Sequence, residues 1–278
     1  NAKEGGIRVP LIITGPKIPA GVQTNVIANG MDLFPTILSW TKTQKPANTQ
    51  FDGTDLSTLL TKNIQDPKLV LEFNDEVRNS VMHHFPNSAS MHSTLRIHGW
   101  KIIRNYQPEK PPLELYQLYG TDGKRIDLEE SKNLAAKRPE KATEMNRLLQ
   151  LRLDEMQADY PYKNPYYRKL PPSAQQAPRA KATGQSASQV WMTYQEKGNS
   201  LVKAYLMYTT NGGQKAEEWS RMDATFKGDK VSASLPEGTT HYIFNLIDDQ
   251  NFLVSYPRMG QVSDFKRGNY SSKAFKVQ

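Results

Sequence analysis

The spacing of apolar positions changes character along the chain. Pro10 to Ile13 is a short apolar run closed by Gly15-Pro16 and Pro19-Ala20-Gly21, which predicts a strand followed by turns. Asp32 stands ahead of an apolar stretch from Leu33 to about Trp40 and predicts an N-capped helix there. Pro35 is tolerated in its first turn, where a backbone N–H has no helical partner. Lys42 to Gln50 is polar and loop-like, and Asp52-Gly53 turns the chain into Leu56, Leu59 and Leu60. Leu69 to Phe73 predicts a strand, and Thr94 to Ile97 with Trp100 to Arg104, joined through His98-Gly99, a β-hairpin. Leu113 to Leu118 adds a strand and Gly120-Thr121-Asp122-Gly123 a turn. After Pro139 the period lengthens: Ala142, Met145, Leu148, Leu149, Leu153 and Met156 recur three and four apart, a long amphipathic helix ended by Tyr160-Pro161. Strands with one such helix predict a small antiparallel sheet covered on one face.

The pattern then lapses. Leu170 to Ser188 is rich in Pro, Ala, Ser and Gln with hardly a large apolar side chain, the composition of a linker. Beyond it, Val190 to Tyr194, Leu201 to Thr209, Lys230 to Leu235, Thr240 to Ile247 and Phe252 to Tyr256 are strand candidates. They are separated by turns such as Asn211-Gly212-Gly213 and Pro236-Glu237-Gly238. Short strands at this spacing predict a β-sandwich of the immunoglobulin or fibronectin kind.

Composition narrows the class. Four Trp and thirteen Tyr among 37% apolar residues predict a folded protein with a polar surface, and 278 residues can bury a sizeable core. No run approaches the roughly 18 apolar residues of a membrane span. The absence of cysteine excludes disulfides, thiolate zinc sites and thiol catalysis within the chain. A net charge of +8 favours anionic partners, yet there is no long Lys/Arg block and no recognised nucleic-acid motif, so nucleic acid is the weakest of them.

Five segments carry a family resemblance. They are Glu4-Gly5-Gly6-Ile7-Arg8-Val9-Pro10, Met31-Asp32-Leu33-Phe34-Pro35-Thr36-Ile37-Leu38, Asp52-Gly53-Thr54-Asp55-Leu56, Leu95-Arg96-Ile97-His98-Gly99-Trp100-Lys101-Ile102-Ile103 and Leu113-Glu114-Leu115-Tyr116-Gln117-Leu118. In this order they resemble the C-terminal third of a type I sulfatase, a formylglycine-dependent hydrolase of the alkaline phosphatase superfamily. The resemblance implies an α/β fold: residues 1–75 as the end of the catalytic α/β domain, 76–169 as a C-terminal subdomain with a small antiparallel sheet and a long helix. A linker at 170–188 and a β-sandwich at 189–278 complete the expected layout. It implies that nucleophile and calcium ligands precede Asn1, on an N-terminal fragment that is this chain's partner. The expected substrate is a sulfated glycan, met in a secreted or periplasmic setting. The family's active-site lysine also falls ahead of this chain, because Lys3 directly adjoins Glu4.

Within the chain, three histidines read as loop residues ahead of the hairpin supply the candidate site. His84 matches the His of the family's His-Phe-Pro segment and leads the substrate-binding set, with His83, His92 and Arg96 beside it. Imidazole and guanidinium suit a sulfate ester, which offers anionic oxygens to donors. Gly5 and Gly6 read as a turn that needs positive φ or close backbone approach, braced by a Glu4–Arg8 ion pair. Asp248-Asp249 reads as a solvated turn. In the β-rich part Trp191, Trp219, Tyr242 and Tyr256 are the aromatic candidates for a glycan surface. A phosphate or phosphonate monoester hydrolase on the same scaffold, and a non-catalytic glycan-binding or structural protein, are the alternatives.

Overall fold

The computed structural model describes residues 2–278 except 63–65, 67, 69, 72–76, 88–90, 168–170, 187 and 261–268. It is mixed α/β, with antiparallel sheets and few helices, and divides into two compact units, Asn1–Pro161 and Tyr162–Gln278.

The first unit opens with a single helical turn, α1 (Glu4–Ile7). Gly5 and Gly6 lie inside it without positive φ, so the expected glycine turn is a helical one. Pro10 to Ile13 forms no strand and is largely exposed, with Ile12 at 85% of its full exposure. Asn29 caps the 3-10 turn Gly30–Asp32 through a capping box with Asp32, and helix α2 (Leu33–Thr41) follows. Asp32 therefore does not act as the simple N-cap of that helix. Its buried carboxylate accepts from the Asn29 and Thr54 backbone N–H groups (2.7 and 2.8 Å) and pairs with buried Arg78 at 2.7 Å. Helix α3 (Ser57–Thr61) supplies Leu59 to a small core with Leu56 and Val70. Of the strand expected at Leu69 to Phe73, most residues lie outside those described; Leu71 makes an isolated bridge to Val77.

Strands β1 (Ser80–Phe85), β2 (His92–Ile97), β3 (Trp100–Asn105) and β4 (Leu113–Gln117) make an antiparallel sheet in that order. The β2–β3 turn is the two residues His98-Gly99, with His98 at φ 50°. A Cβ at Gly99 would stand 2.2 Å from the Tyr119 carbonyl oxygen, so only glycine lets the β4 exit pass so close. Helix α4 (Pro139–Glu155) starts on its proline, as the sequence predicts, and lays Ala142, Met145, Leu149 and Leu153 on Leu95, Ile102 and Leu115 of the sheet. Burying each Leu or Met there contributes about 1.5–3 kcal/mol. Met156, the last residue of the expected stripe, lies beyond the helix end and is largely exposed.

The second unit holds β5 (Arg179–Gln185), β6 (Gln189–Gln195), β7 (Leu201–Thr209), β8 (Ser220–Asp223), β9 (Thr225–Lys227), β10 (Lys230–Ser234), β11 (His241–Asp248), β12 (Leu253–Tyr256) and β13 (Phe275–Lys276). One sheet runs β5-β6-β10-β9 and the other β12-β11-β7-β8, with β13 against β11. Alternate residues of both, among them Val190, Met192, Val231, Leu206, Phe244 and Leu246, close on a single core. The stretch read as a linker is largely structured. A 3-10 turn, Pro172–Gln176, puts Ala174 and Ala177 into that core, and β5 is an edge strand paired to β6. An edge strand draws its stability from the backbone ladder and tolerates small side chains, which is why composition alone suggested a tether. Asp248 is not solvated. It is buried and accepts from Asn199 Nδ2 (2.8 Å) and the Gln250 and Phe252 backbone N–H groups, fixing the β11–β12 turn.

Candidate functional site

The four-stranded sheet has two unlike faces, and strand register decides which residue joins which. Side chains alternate along a strand, and paired residues share a face. The pairs Met82–Leu95, Leu95–Ile102 and Ile102–Leu115 place these side chains under α4. The pairs Phe85–His92, His83–Thr94, Val81–Arg96 and Arg96–Lys101 place His83, His92, Arg96 and Lys101 together on the other face. Here the unit carries its concentrated charge.

Lys101 is completely buried at the centre of that face. Its Nζ lies 3.0 Å from Glu4 Oε1 and 2.9 Å from Glu130 Oε1. Glu130 reaches back with its other oxygen to the Glu4 backbone N–H, and its carbonyl accepts from Lys3 Nζ at 2.7 Å. The Arg96 guanidinium stands 3.6 Å from Glu4 Oε2 and stacks on the Tyr119 ring, 5.3 Å from its centroid. Two cations, Arg96 and Lys101, thus pair with two buried carboxylates, and Lys3 is held by the Glu130 carbonyl. The arrangement pins α1 to the sheet. Glu4 does not pair with Arg8 as expected: the helical turn aims Glu4 at Lys101, while Arg8 donates to the Tyr119 hydroxyl.

The predicted site residues separate onto the two faces. His83 is half-buried on the charged face, and its Nδ1 has no hydrogen-bond partner among the described residues. Burial first, and the nearby Lys101 cation second, hold its pKa below the ordinary imidazole value, which favours the neutral ring at neutral pH. Arg96 Nε is likewise buried without a hydrogen-bond partner among the described residues. His92 is buried on the same face, its ring 6.0 Å from that of Phe85. His84 points the other way. Its Nδ1 is 2.7 Å from Ser93 Oγ, which in turn meets the Tyr106 hydroxyl at 2.6 Å. Its Nε2 is 2.7 Å from the Asp159 carbonyl, and Tyr106 and Tyr160 pack edge-on against the ring. The structure thus brings His83, His92 and Arg96 to one face and gives both His84 nitrogens protein partners on the opposite face. The histidines also lie on strands rather than in a loop, His83 and His84 on β1 and His92 at the start of β2.

Sequence reasoning missed Lys101, Glu130 and Tyr119. A lysine between Trp100 and Ile102 in a hairpin strand is the one available signal, since the alternation alone seats it opposite the helix-covered face. Glu130 sits at φ 54° in a loop and gives no sequence signal of its own. Among the described residues no group of three or more His, Cys, Asp or Glu is placed to hold a metal ion. No helix among them is long and apolar enough to cross a membrane.

With this geometry in view, the curated relatives are all sulfatases. The chain is 29% identical over 157 residues to arylsulfatase K of Xenopus laevis, covering 54% of this chain and 27% of that protein. It is 30% identical over 163 residues to arylsulfatase A of Bos taurus, covering 54% of this chain and 32% of that one. Human steryl-sulfatase is 35% identical over 94 residues, 33% of this chain and 16% of the relative. Homology at about 30% identity over half of the chain supports a sulfatase family. The chain spans about a quarter to a third of the length of these two arylsulfatases. No family model matches it.

Proposed function

We propose that this chain is the C-terminal portion of a type I sulfatase that removes sulfate from a sulfated polysaccharide in a secreted or periplasmic setting. In this reading the formylglycine nucleophile and the calcium ligands belong to an N-terminal portion of the enzyme. Hydrolysis cleaves the sulfate ester, water adds to the sulfuryl group, and the sugar alcohol leaves. The observation that carries the reading is the agreement between sulfatase homology and the way Glu4 is built into the sheet. Glu4, which heads one of the segments that carry the resemblance, is fixed by a buried Lys101 from the hairpin that carries another. The residues of this chain contribute position and charge. His83 and Arg96, each with a buried nitrogen lacking a hydrogen-bond partner among the described residues, are the side chains we assign to the substrate. His84 is assigned to holding β1 against the segment after α4.

Exposed apolar side chains support the partner portion. Phe34, Ile37 and Trp40 on α2 are 53%, 51% and 42% exposed, and Ile12 on the segment Pro10 to Ile13 is 85% exposed, an unusual concentration for solvent-facing residues. The test is turnover. The 278-residue chain alone is expected to hydrolyse no sulfate ester, and the enzyme joined to its N-terminal portion is expected to desulfate a polysaccharide. Turnover by the chain alone would overturn the placement of the nucleophile. Preference of the joined enzyme for phosphate or phosphonate monoesters would overturn the sulfatase reading.

A further inference from the structure

The positive charge of this protein is almost entirely a property of its second unit. Residues 162–278 contain sixteen Lys and Arg against nine Asp and Glu, whereas residues 1–161 contain twenty against nineteen. The first unit balances its charges and the second carries an excess of seven.

Part of that excess is organised on one sheet. In β5-β6-β10-β9 the core takes Val190, Met192 and Tyr194 from β6 and Val231 and Ala233 from β10, so the alternate positions face outward. Register places these outward residues in rows across the sheet. One row is Gly184, Trp191, Ser232 and Thr225; the next is Ala182, Thr193, Lys230 and Lys227; Arg179 lies opposite Gln195 beyond it. The four strands contain no Asp or Glu. The carboxylates nearest in sequence are Asp229, in the β9–β10 turn, and Glu196, past the end of β6 and turned to accept the Leu201 N–H at 2.8 Å.

The indole of Trp191 is laid flat by its neighbour. A Cβ at Gly184 would meet the ring atoms at 2.3 to 2.8 Å, so glycine is what lets the indole lie over β5. Lys230 Nζ rests 4.9 Å from the ring centroid. A flat, partly exposed indole is thus set among hydroxyls, amides and cations on an exposed sheet with no acid in its strands.

We propose that this outward face binds a sulfated polysaccharide chain. Sugar rings stack on Trp191, while Lys230, Lys227 and Arg179 pair with sulfate groups. The identity of the polyanion rests on the sulfatase reading; the charge and the aromatic platform do not. Hydroxyls and amides around a single indole favour a hydroxyl-rich chain over nucleic acid, whose non-specific single-strand sites use several stacking aromatics. A sulfate arriving at Lys230 draws its ammonium away from the indole and opens the ring to the sugar, so binding is read by the fluorescence of Trp191 itself.

The test uses the full chain, with dextran sulfate, uncharged dextran and a single-stranded oligonucleotide as probes at fixed ionic strength. Dextran sulfate is expected to bind, to shift a fluorescence signal that is lost in Trp191→Phe, and to bind more tightly than the oligonucleotide. Arg179→Ser/Lys227→Ser/Lys230→Ser is expected to weaken this binding roughly tenfold or more. A control of equal charge change, Lys197→Ser/Lys203→Ser/Lys273→Ser, is expected to weaken it far less. Equal losses in the two triple variants, no Trp191 signal, or tighter binding of the oligonucleotide would overturn the proposal. Turnover plays no part in the assay: failure of the sulfatase reading appears in substrate hydrolysis, and failure of this surface appears only here.

Discussion

Replacing Lys101 by methionine is the most informative single perturbation of the first unit. The side chain has no exposure and stands between two carboxylates that are themselves buried, Glu4 at 3.0 Å and Glu130 at 2.9 Å. Methionine fills a similar volume, so little of the cost comes from a cavity. The cost is electrostatic: two buried carboxylates lose their common cation, and only the more distant Arg96 remains beside Glu4. Breaking one buried pair in this way costs about 3–5 kcal/mol. For a unit of this size that lowers Tm by roughly 6–20 °C, at about 2–4 °C per kcal/mol. Removing the carboxylates together with the lysine leaves no stranded charge. Lys101→Met/Glu4→Gln/Glu130→Gln should therefore recover most of the loss, because a buried ionic cluster can be exchanged for neutral groups at small net cost. Urea unfolding of the single and triple variants measures both numbers. Amide exchange at Gly5 to Arg8 should accelerate in the single variant, since Glu4 is what ties that turn to the sheet. A Lys101→Met loss under about 1 kcal/mol, or a triple variant as unstable as the single, would refute the reasoning.

Three further outcomes follow from neighbouring geometry. His84→Ala should destabilise the first unit by about 1–3 kcal/mol, because it removes the ring's hydrogen bonds to Ser93 and to the Asp159 carbonyl, and denaturant unfolding measures this directly. Arg78→Met should cost about 3–5 kcal/mol by leaving the Asp32 carboxylate buried without its cation, read in the same way. His83 is depressed by burial, so the folded state resists protonating it. The unfolded chain binds that proton near the ordinary imidazole value of about 6.5, so stability is full above this pH and falls as pH drops toward the folded value. A Tm profile between about pH 7.5 and 5 should be flatter in His83→Gln, and an unchanged profile would remove His83 from the account.

The elements easiest to read were those in which one physical signal dominates. The three- and four-residue spacing from Ala142 to Leu153 has no other stable reading than an amphipathic helix, and the Thr94 to Arg104 hairpin is closed by a turn that only His98-Gly99 could make so tight. The failures share a cause. Pro10 to Ile13 has the apolar content of a strand but no strand paired to it among the described residues, and a strand exists only through its ladder. Arg179 to Gln185 is the converse: its small, polar side chains suggest a tether, yet the ladder to β6 makes it a strand. Propensity measures the side chain, and in both places pairing decided the outcome.

The site was less legible than the fold because its chemistry depends on which face a residue takes. His83 and His84 are adjacent, equally plausible from sequence, and on opposite sides of the sheet. Resemblance selected His84, but both of its nitrogens are held by protein groups, whereas His83 keeps a buried nitrogen with no hydrogen-bond partner among the described residues. The same alternation explains Lys101. Between Trp100 and Ile102 it reads as a strand residue of no special standing, until the register sets it across from Tyr116 and beneath Glu4. Glu4 in turn reads as a partner for Arg8 only while the segment is imagined as an extended turn; wound into one helical turn, it faces the sheet. A single parity choice, which face of β3 receives α4, therefore determines the ion network, the fate of the family-like segment and the histidine assigned to the substrate. Shifting that register by one residue would bury Arg96 and Lys101 under α4 and expose Leu95 and Ile102, a cost that the helix stripe was built to avoid.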